Sequence, residues 1–457
     1  MPSDDLPRRA HPMSPDHRHA PLLDAVRRDL SNWPLWAARA VVIGFAALSG
    51  LTVVALTWLT EHAFSLFEQL HRMATWAPLL WTPLCTAGIV WAMRRYAMGA
   101  AGSGIPQVMA AMDASVAPAQ RHLFVSLKLT LSKMAMTTWG LLGGLSLGRE
   151  GPSVQIAAGV MHHARRYLPN AAPVSPNGLL MAGGAAGIAA AFNTPLGGIM
   201  FAIEELSRRP EQRNTGLLLA AIVLSGLMAV SVYGNATYFG VIRVDQLSLA
   251  LVWPALLVAL ACGVAGGLFA RLLLQCVRGD SADGVSRWRQ DSPVVFAAAC
   301  GLVVAVIGLV SHGSTFGTGY THSRSLLEGS GEATPLYTLL KFLATWITAW
   351  SGVPGGIFAP ALSIGGSLGN DVAQLTHYAN APTLIALGMA GFLAAVTQAP
   401  LTAFIIVMEM VDGHALVLSL MATALVASGV SRLLSAPLYQ AMAKLQLQRL
   451  PPTAPAA

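Results

Sequence analysis

Long apolar stretches broken by glycine and proline set the pattern of this chain. Residues 40–59, 217–233, 249–270, 293–310 and 416–430 contain no charged side chain. They reach or approach the ~20 apolar residues that a helix needs to cross a bilayer, the last being rather short. Between them lie apolar runs that are shorter still or are interrupted. The pattern predicts several helices that cross a bilayer. Residues 1–32 are polar and mixed in charge, and the first apolar run starts too late and runs too long for a signal peptide. Arg8, Arg9, Arg18, Arg27 and Arg28 in that segment argue for a cytoplasmic N-terminus.

Composition turns this pattern into an environment. Of 457 residues, 54% are hydrophobic and only 11% are charged, where soluble domains carry about 25% charged residues. So large a deficit means a surface that faces lipid. The net charge of +7 is spread over loops rather than gathered in a stripe, which fits membrane bias and excludes a nucleic-acid surface. Cys85, Cys262, Cys276 and Cys300 lie in or beside apolar segments without CxxC spacing, so they read as small buried hydrophobes. His162 and His163 are neighbours that face different sides of a helix, and no HExxH occurs, so no metal or cofactor is expected.

Two segments repeat. "AAGIAAAFNTPLGGIMFAIEEL" from Ala185 matches "MAGFLAAVTQAPLTAFIIVMEM" from Met389, pairing Pro195 with Pro400 and Glu204 with Glu409 at an offset of 205. Upstream, "GREGPSVQIAAG" from Gly148 matches "GIFAPALSIGG" from Gly356, pairing Pro152 with Pro360 and Glu150 with Phe358 at an offset of 208. Matched order and spacing point to a duplicated unit of about 200 residues. Duplicated halves with breaks at corresponding positions are the pattern of a carrier whose site lies between the halves. Such breaks are tolerated only inside protein or beside a wet cavity.

"GSGIP" at Gly102, "GREGP" at Gly148 and "GIFAP" at Gly356 each place Gly a few residues before Pro, ahead of a largely apolar run. Pro suits the first helical turn and Gly permits the sharp turn before it. Each stretch therefore reads as a helix that starts inside the membrane. Its unpaired N–H groups and positive dipole end attract anions. Lys and Arg occur only singly in the apolar runs, as with Lys133, so an anion would be held mainly by partial charges that also let it go.

These three stretches, in this order, with "AAFNTPLGGIMFAIEEL" and "SAPLYQAM", resemble the signature motifs of the CLC family of chloride channels and chloride/proton antiporters, over roughly residues 35–445. The resemblance implies an all-α polytopic membrane protein. It would have two inverted-topology repeats, about 33–214 and 215–445, whose broken helices meet at the membrane midplane. Residues 1–32 and 446–457 would be short cytoplasmic tails. It further implies a homodimer in the lipid bilayer of the cell membrane, the inner membrane in a Gram-negative cell, with chloride and protons as its ligands.

By the same resemblance Glu150 takes the place of the gating glutamate. A carboxylate is itself an anion, so it can plug an anion site and leave once protonated. A structural ion pair with Arg149 is the alternative. Ser103 and Tyr439 match the hydroxyls that donate to the central chloride, and Ser103 is the residue type of chloride-preferring rather than nitrate-preferring members. Ile357 and Phe358 match the backbone N–H donors, and Gly104 and Gly151 fall at the same site. Glu205 matches the internal glutamate of antiporters, the alternative being that Glu204 and Glu205 are solvated charges beside Arg208 and Arg209. Gln107 stands where many relatives carry Glu.

A chloride/proton antiporter is the expected function, with a passive chloride channel on the same fold as the close alternative. A remote one is an intramembrane serine protease, because GxSxG occurs at Gly144 and at Gly365, with His377 downstream of Ser367. The segments 278–292 and 313–335 are expected to be loops, the second with glycines that shape a vestibule.

Overall fold

In the computed structural model, residues 33–169, 174–206, 215–234, 238–240, 249–279, 284–329 and 335–450 are described. The polar segment 1–32, Arg208 and Arg209 lie outside them. The described chain is helical throughout, with a single isolated bridge between Gly148 and Gly356 in place of any strand.

A 41-residue helix, α1 (Trp33–Met73), leads into α2 (Pro78–Tyr96), the short α3 (Ile105–Met112), α4 (Leu127–Leu142), α5 (Glu150–His163), α6 (Pro176–Phe192), α7 (Pro195–Phe201) and α8 (Thr215–Tyr233). The second half runs α9 (Val252–Arg278), α10 (Gly284–Asp291), α11 (Pro293–Val310), α12 (Tyr320–Leu327), α13 (Pro335–Ser351), α14 (Phe358–Thr376), α15 (Ala381–Thr397), α16 (Pro400–Met410), α17 (Val417–Leu434) and α18 (Leu438–Gln448). Among the described residues, five spans are long and apolar enough to cross a membrane: Trp33–Met73, Gly216–Tyr233, Leu249–Arg278, Pro293–Val310 and His414–Leu434. They contain or overlap the five apolar runs read from sequence. The helices α6 and α15 are only 17 residues long and are almost wholly buried. They are apolar all round because protein surrounds them.

Both halves use the same local devices. The helices α6 and α15 start on Ser175 and Asn380, whose side chains accept from Gly178 N and Thr383 N, as N-caps do. They end on Asn193 and Gln398 in left-handed conformation, at φ 57° and 59°, two residues before Pro195 and Pro400 start the next helix. The core helices touch through small residues. A Cβ on Gly388 would lie 2.1 Å from Gly365 O, so α14 and α15 meet backbone to backbone.

Reciprocal contacts tie the halves together. Gly148 N donates to Gly356 O and Gly356 N to Gly148 O, both at 2.7 Å. Glu204 accepts from Leu401 N and Thr402 N, while Glu409 accepts from Leu196 N and Gly197 N. Within each half the same device recurs: Lys133 donates to Ala100 O and Gly102 O, as Lys341 does to Thr315 O and Gly317 O. Contacts of the form i to j′ matched by j to i′ define a two-fold relation. The Gly148–Gly356 bridge is antiparallel, so the two segments run in opposite directions.

Two expectations change in detail. The segment 278–292 contains the charged helix α10, anchored where Arg289 donates to Cys276 O. The segment 313–335 contains α12, and Lys341 holds its glycine-rich start. Polar composition masked both helices, which are only eight residues long. All four cysteines are free and buried.

Candidate functional site

The breaks "GSGIP", "GREGP" and "GIFAP" converge where α3, α5 and α14 begin. At the antiparallel bridge Gly148 and Gly356 bring the first turns of α5 and α14 together. Gly104, the N-cap of α3, has φ 111°, a conformation that other residues rarely adopt. A Cβ there would lie 2.7 Å from Gly151 O. The loop before it is held by Lys133, whose fully buried ammonium binds two of its carbonyls.

Glu150, the first residue of α5, is fully buried. Its Oε2 accepts from Ala359 N at 3.3 Å, in the first turn of α14, and Oε1 is buried without a partner. The carboxylate thus occupies the open amide end of the opposite repeat's helix, where an anion is favoured. Gly148 makes room for it: a Cβ there would lie 2.3 Å from Oε2. Glu150 is not paired with Arg149 through a salt bridge. The Arg149 guanidinium turns away to Glu61 at 2.9 Å and to the Tyr238 hydroxyl at 3.2 Å.

The Ser103 and Tyr439 hydroxyls lie close together, and both are buried without a hydrogen-bond partner of good geometry. A buried hydroxyl without a partner is costly, so two in one place mark a ligand position. A Cβ on Gly151 would lie 2.2 Å from Ser103 Oγ, so the glycine keeps this space open. Phe358 begins α14, with Ile357 as its N-cap. The Phe358 ring stacks on Tyr439, with centroids 6.1 Å apart, and packs edge-on against Phe201 at 6.4 Å. Ser103, Gly104, Glu150, Gly151, Ile357, Phe358 and Tyr439 are therefore brought to one place.

Glu205 sits apart from Glu150. It is buried in a wide turn, Ala202–Leu206, that continues α7 one turn past Phe201. Its neighbour Glu204 caps α16, so neither residue is a loosely solvated charge. Gln107 turns back to Ala101 O and fastens the Ser103 loop.

A cavity of about 830 Å³ lies beyond Arg149 and is lined by α1, α12 and the loop between α11 and α12. Its glycines, Gly313 and Gly319, belong to the segment expected to shape a vestibule. Sequence reasoning missed Glu61, Tyr238 and Lys341. Glu61 was legible only as a charge at the end of an apolar run, and Lys341 as the partner of Lys133 at the offset of 208.

The serines of the two GxSxG stretches sit in structural bonds. Ser146 bonds Thr345 at 2.8 Å. Ser367 meets His322 at 3.2 Å rather than His377, which ends α14. Among the described residues no hydrogen bond links His322 to a carboxylate, and no three His, Cys, Asp or Glu side chains gather as a metal site.

The fold has solved relatives. A slow cyanobacterial Cl-/H+ antiporter is 24% identical with a TM-score of 0.75, the match covering 91% of this chain and 98% of that one. A CLC-type fluoride/proton antiporter is 22% identical with a TM-score of 0.72, covering 90% and 99%. A eukaryotic CLC transporter is 20% identical with a TM-score of 0.70, covering 90% and 74%. The sequence profile of the family described as voltage gated chloride channel matches residues 85–432, three quarters of the chain and all three helix starts. This protein therefore belongs to the voltage gated chloride channel family, the CLC family, and is an all-α polytopic membrane protein.

Proposed function

We propose that the protein carries chloride across a bilayer in exchange for protons. The carrying observation is the Glu150 carboxylate on the amide end of α14, next to two buried hydroxyls, Ser103 and Tyr439, that lie close together without a well-formed hydrogen bond. Chloride takes the place between those hydroxyls, with the backbone N–H groups of Ile357 and Phe358 facing it and Gly104 and Gly151 leaving room. Glu150 competes as a tethered anion and leaves its amide when it takes a proton. Protons reach it from the far side through Glu205, by a route separate from the chloride path. A second buried carboxylate, Glu205, besides the one at Glu150 supports coupling over a passive pore.

The same reading places the protein in the cell membrane as a homodimer, with residues 33–445 as its membrane domain and both tails in the cytoplasm. It is a transporter rather than an enzyme. The test is a proteoliposome assay that reads both ions. A chloride gradient should drive protons uphill, and Glu150→Ala should keep chloride flux while abolishing proton flux. Proton movement at background in the unaltered protein, with chloride flux intact, would make it a passive chloride channel.

A further inference from the structure

The two-fold relation between the halves extends to the hydroxyls of the central site. "GSGIP" at Gly102 has a partner in "GTGYT" at Gly317. Gly102 and Gly317 share a φ of 66°, and Gly104 and Gly319 are both N-caps with positive φ, of α3 and α12. Lys133 and Lys341 fasten the two loops through the same pair of carbonyls. Ser103 therefore corresponds to Thr318. Tyr439 lies five residues past the end of α17 and Tyr238 five past the end of α8, so the two tyrosines correspond as well. The central pair of hydroxyls thus has a copy, Thr318 and Tyr238, and both residues line the 830 Å³ cavity.

What the copy adds is charge. Arg149 lines the same cavity, with its side chain only 7% exposed. It donates to Tyr238 at 3.2 Å, which leaves the tyrosine's own proton free to point elsewhere, and its Nε has no hydrogen-bond partner. Its counter-ion is Glu61, a carboxylate 53% exposed to the cavity. A half-solvated carboxylate on a buried guanidinium is readily exchanged for another anion, because the bond to it is screened while the cation still needs a partner.

We propose that the cavity holds a second, outer site for a small monovalent anion, chloride in the transport reaction, built from the Arg149 guanidinium with the hydroxyls of Tyr238 and Thr318. Glu61 is its tethered competitor. This inference rests on the proposed chloride transport and extends it to the step at which the anion is gathered before it reaches Glu150. Glu61 repeats, one layer out, what Glu150 does at the centre: an acidic side chain holds the place of an anion.

The experiment is anomalous diffraction from crystals soaked in bromide, for the unaltered protein and for Glu61→Gln, which keeps the side chain's shape and removes its charge. Glu61→Gln should show bromide beside Arg149 in the cavity in addition to bromide between Ser103 and Tyr439. The outer site of the unaltered protein should be roughly two- to fivefold weaker, the worth of a half-exposed ion pair. Bromide at the centre alone overturns the outer site and leaves the transport reading standing. Bromide beside Arg149 alone supports the outer site and counts against the central one. Bromide at neither overturns both. If Glu61→Gln does not fold, the unaltered protein at high bromide decides, and an empty cavity there overturns the outer site.

Discussion

Replacing Glu409 by Ala strips the first turn of α7 of two acceptor contacts, from Leu196 N at 3.2 Å and Gly197 N at 2.7 Å. Glu204→Ala does the same to α16, at Leu401 N, 3.1 Å, and Thr402 N, 2.7 Å. Bonds to a charged acceptor are worth about 1.5–3 kcal/mol each when buried. These carboxylates are only partly buried, so the loss lies near the upper end of an N-cap deletion, about 2 kcal/mol. For a chain of 457 residues, at about 2.1 cal/mol/K of unfolding entropy per residue, that lowers the apparent melting temperature by about 2 °C. The assay is tryptophan fluorescence during heating in detergent. The near-equal geometry of the two caps requires the two variants to fall by similar amounts. Glu→Gln at either position keeps one acceptor oxygen and should retain about half of the lost stability. The double Ala variant should depart from the sum of the singles, since both carboxylates join the same two helices. If either Ala variant melts with the unaltered protein, reciprocal capping does not hold the halves together.

Three further outcomes follow from the site. Gly151→Ala puts a methyl 2.2 Å from Ser103 Oγ, so chloride flux should fall to near background while the gel-filtration profile stays unchanged. Gly148→Ala puts one 2.3 Å from Glu150 Oε2 and pushes the carboxylate off Ala359 N. The ratio of protons to chloride in the dual-ion assay should drop, with chloride flux retained. Lys133→Met leaves the Ala100 and Gly102 carbonyls without their donor. At about 1–3 kcal/mol for each buried acceptor left open, it should lower the melting temperature by at least as much as Glu409→Ala.

The sequence carried the site further than it carried the symmetry. Gly and Pro placement in three stretches located the helix starts, because both residues act through backbone conformation that needs no partner to be read. The pairing of Glu204 with Glu409 was visible as an alignment, but which amides they meet depends on two helices 205 residues apart in the chain. Adjacent acids in "IEEL" do different work, one capping α16 and one buried in the turn after α7, and no local pattern separates them. Thr318 was hidden for a different reason. The offset grows from 208 to 215 at "GTGYT", where Thr321 stands in place of Pro106. The long helix α1 was read only to residue 59 because its later turns carry Glu61, Glu68 and His71 toward the cavity rather than toward lipid.

The most direct measurement is a calorimetric chloride titration of the purified protein beside the double variant Ser103→Ala, Tyr439→Phe. Two hydroxyls donating to an anion at about 1.5 kcal/mol or more each predict saturable binding that weakens by roughly 100-fold in the double variant. An affinity for chloride that is the same in both proteins would contradict a site built on those hydroxyls at the meeting of the broken helices.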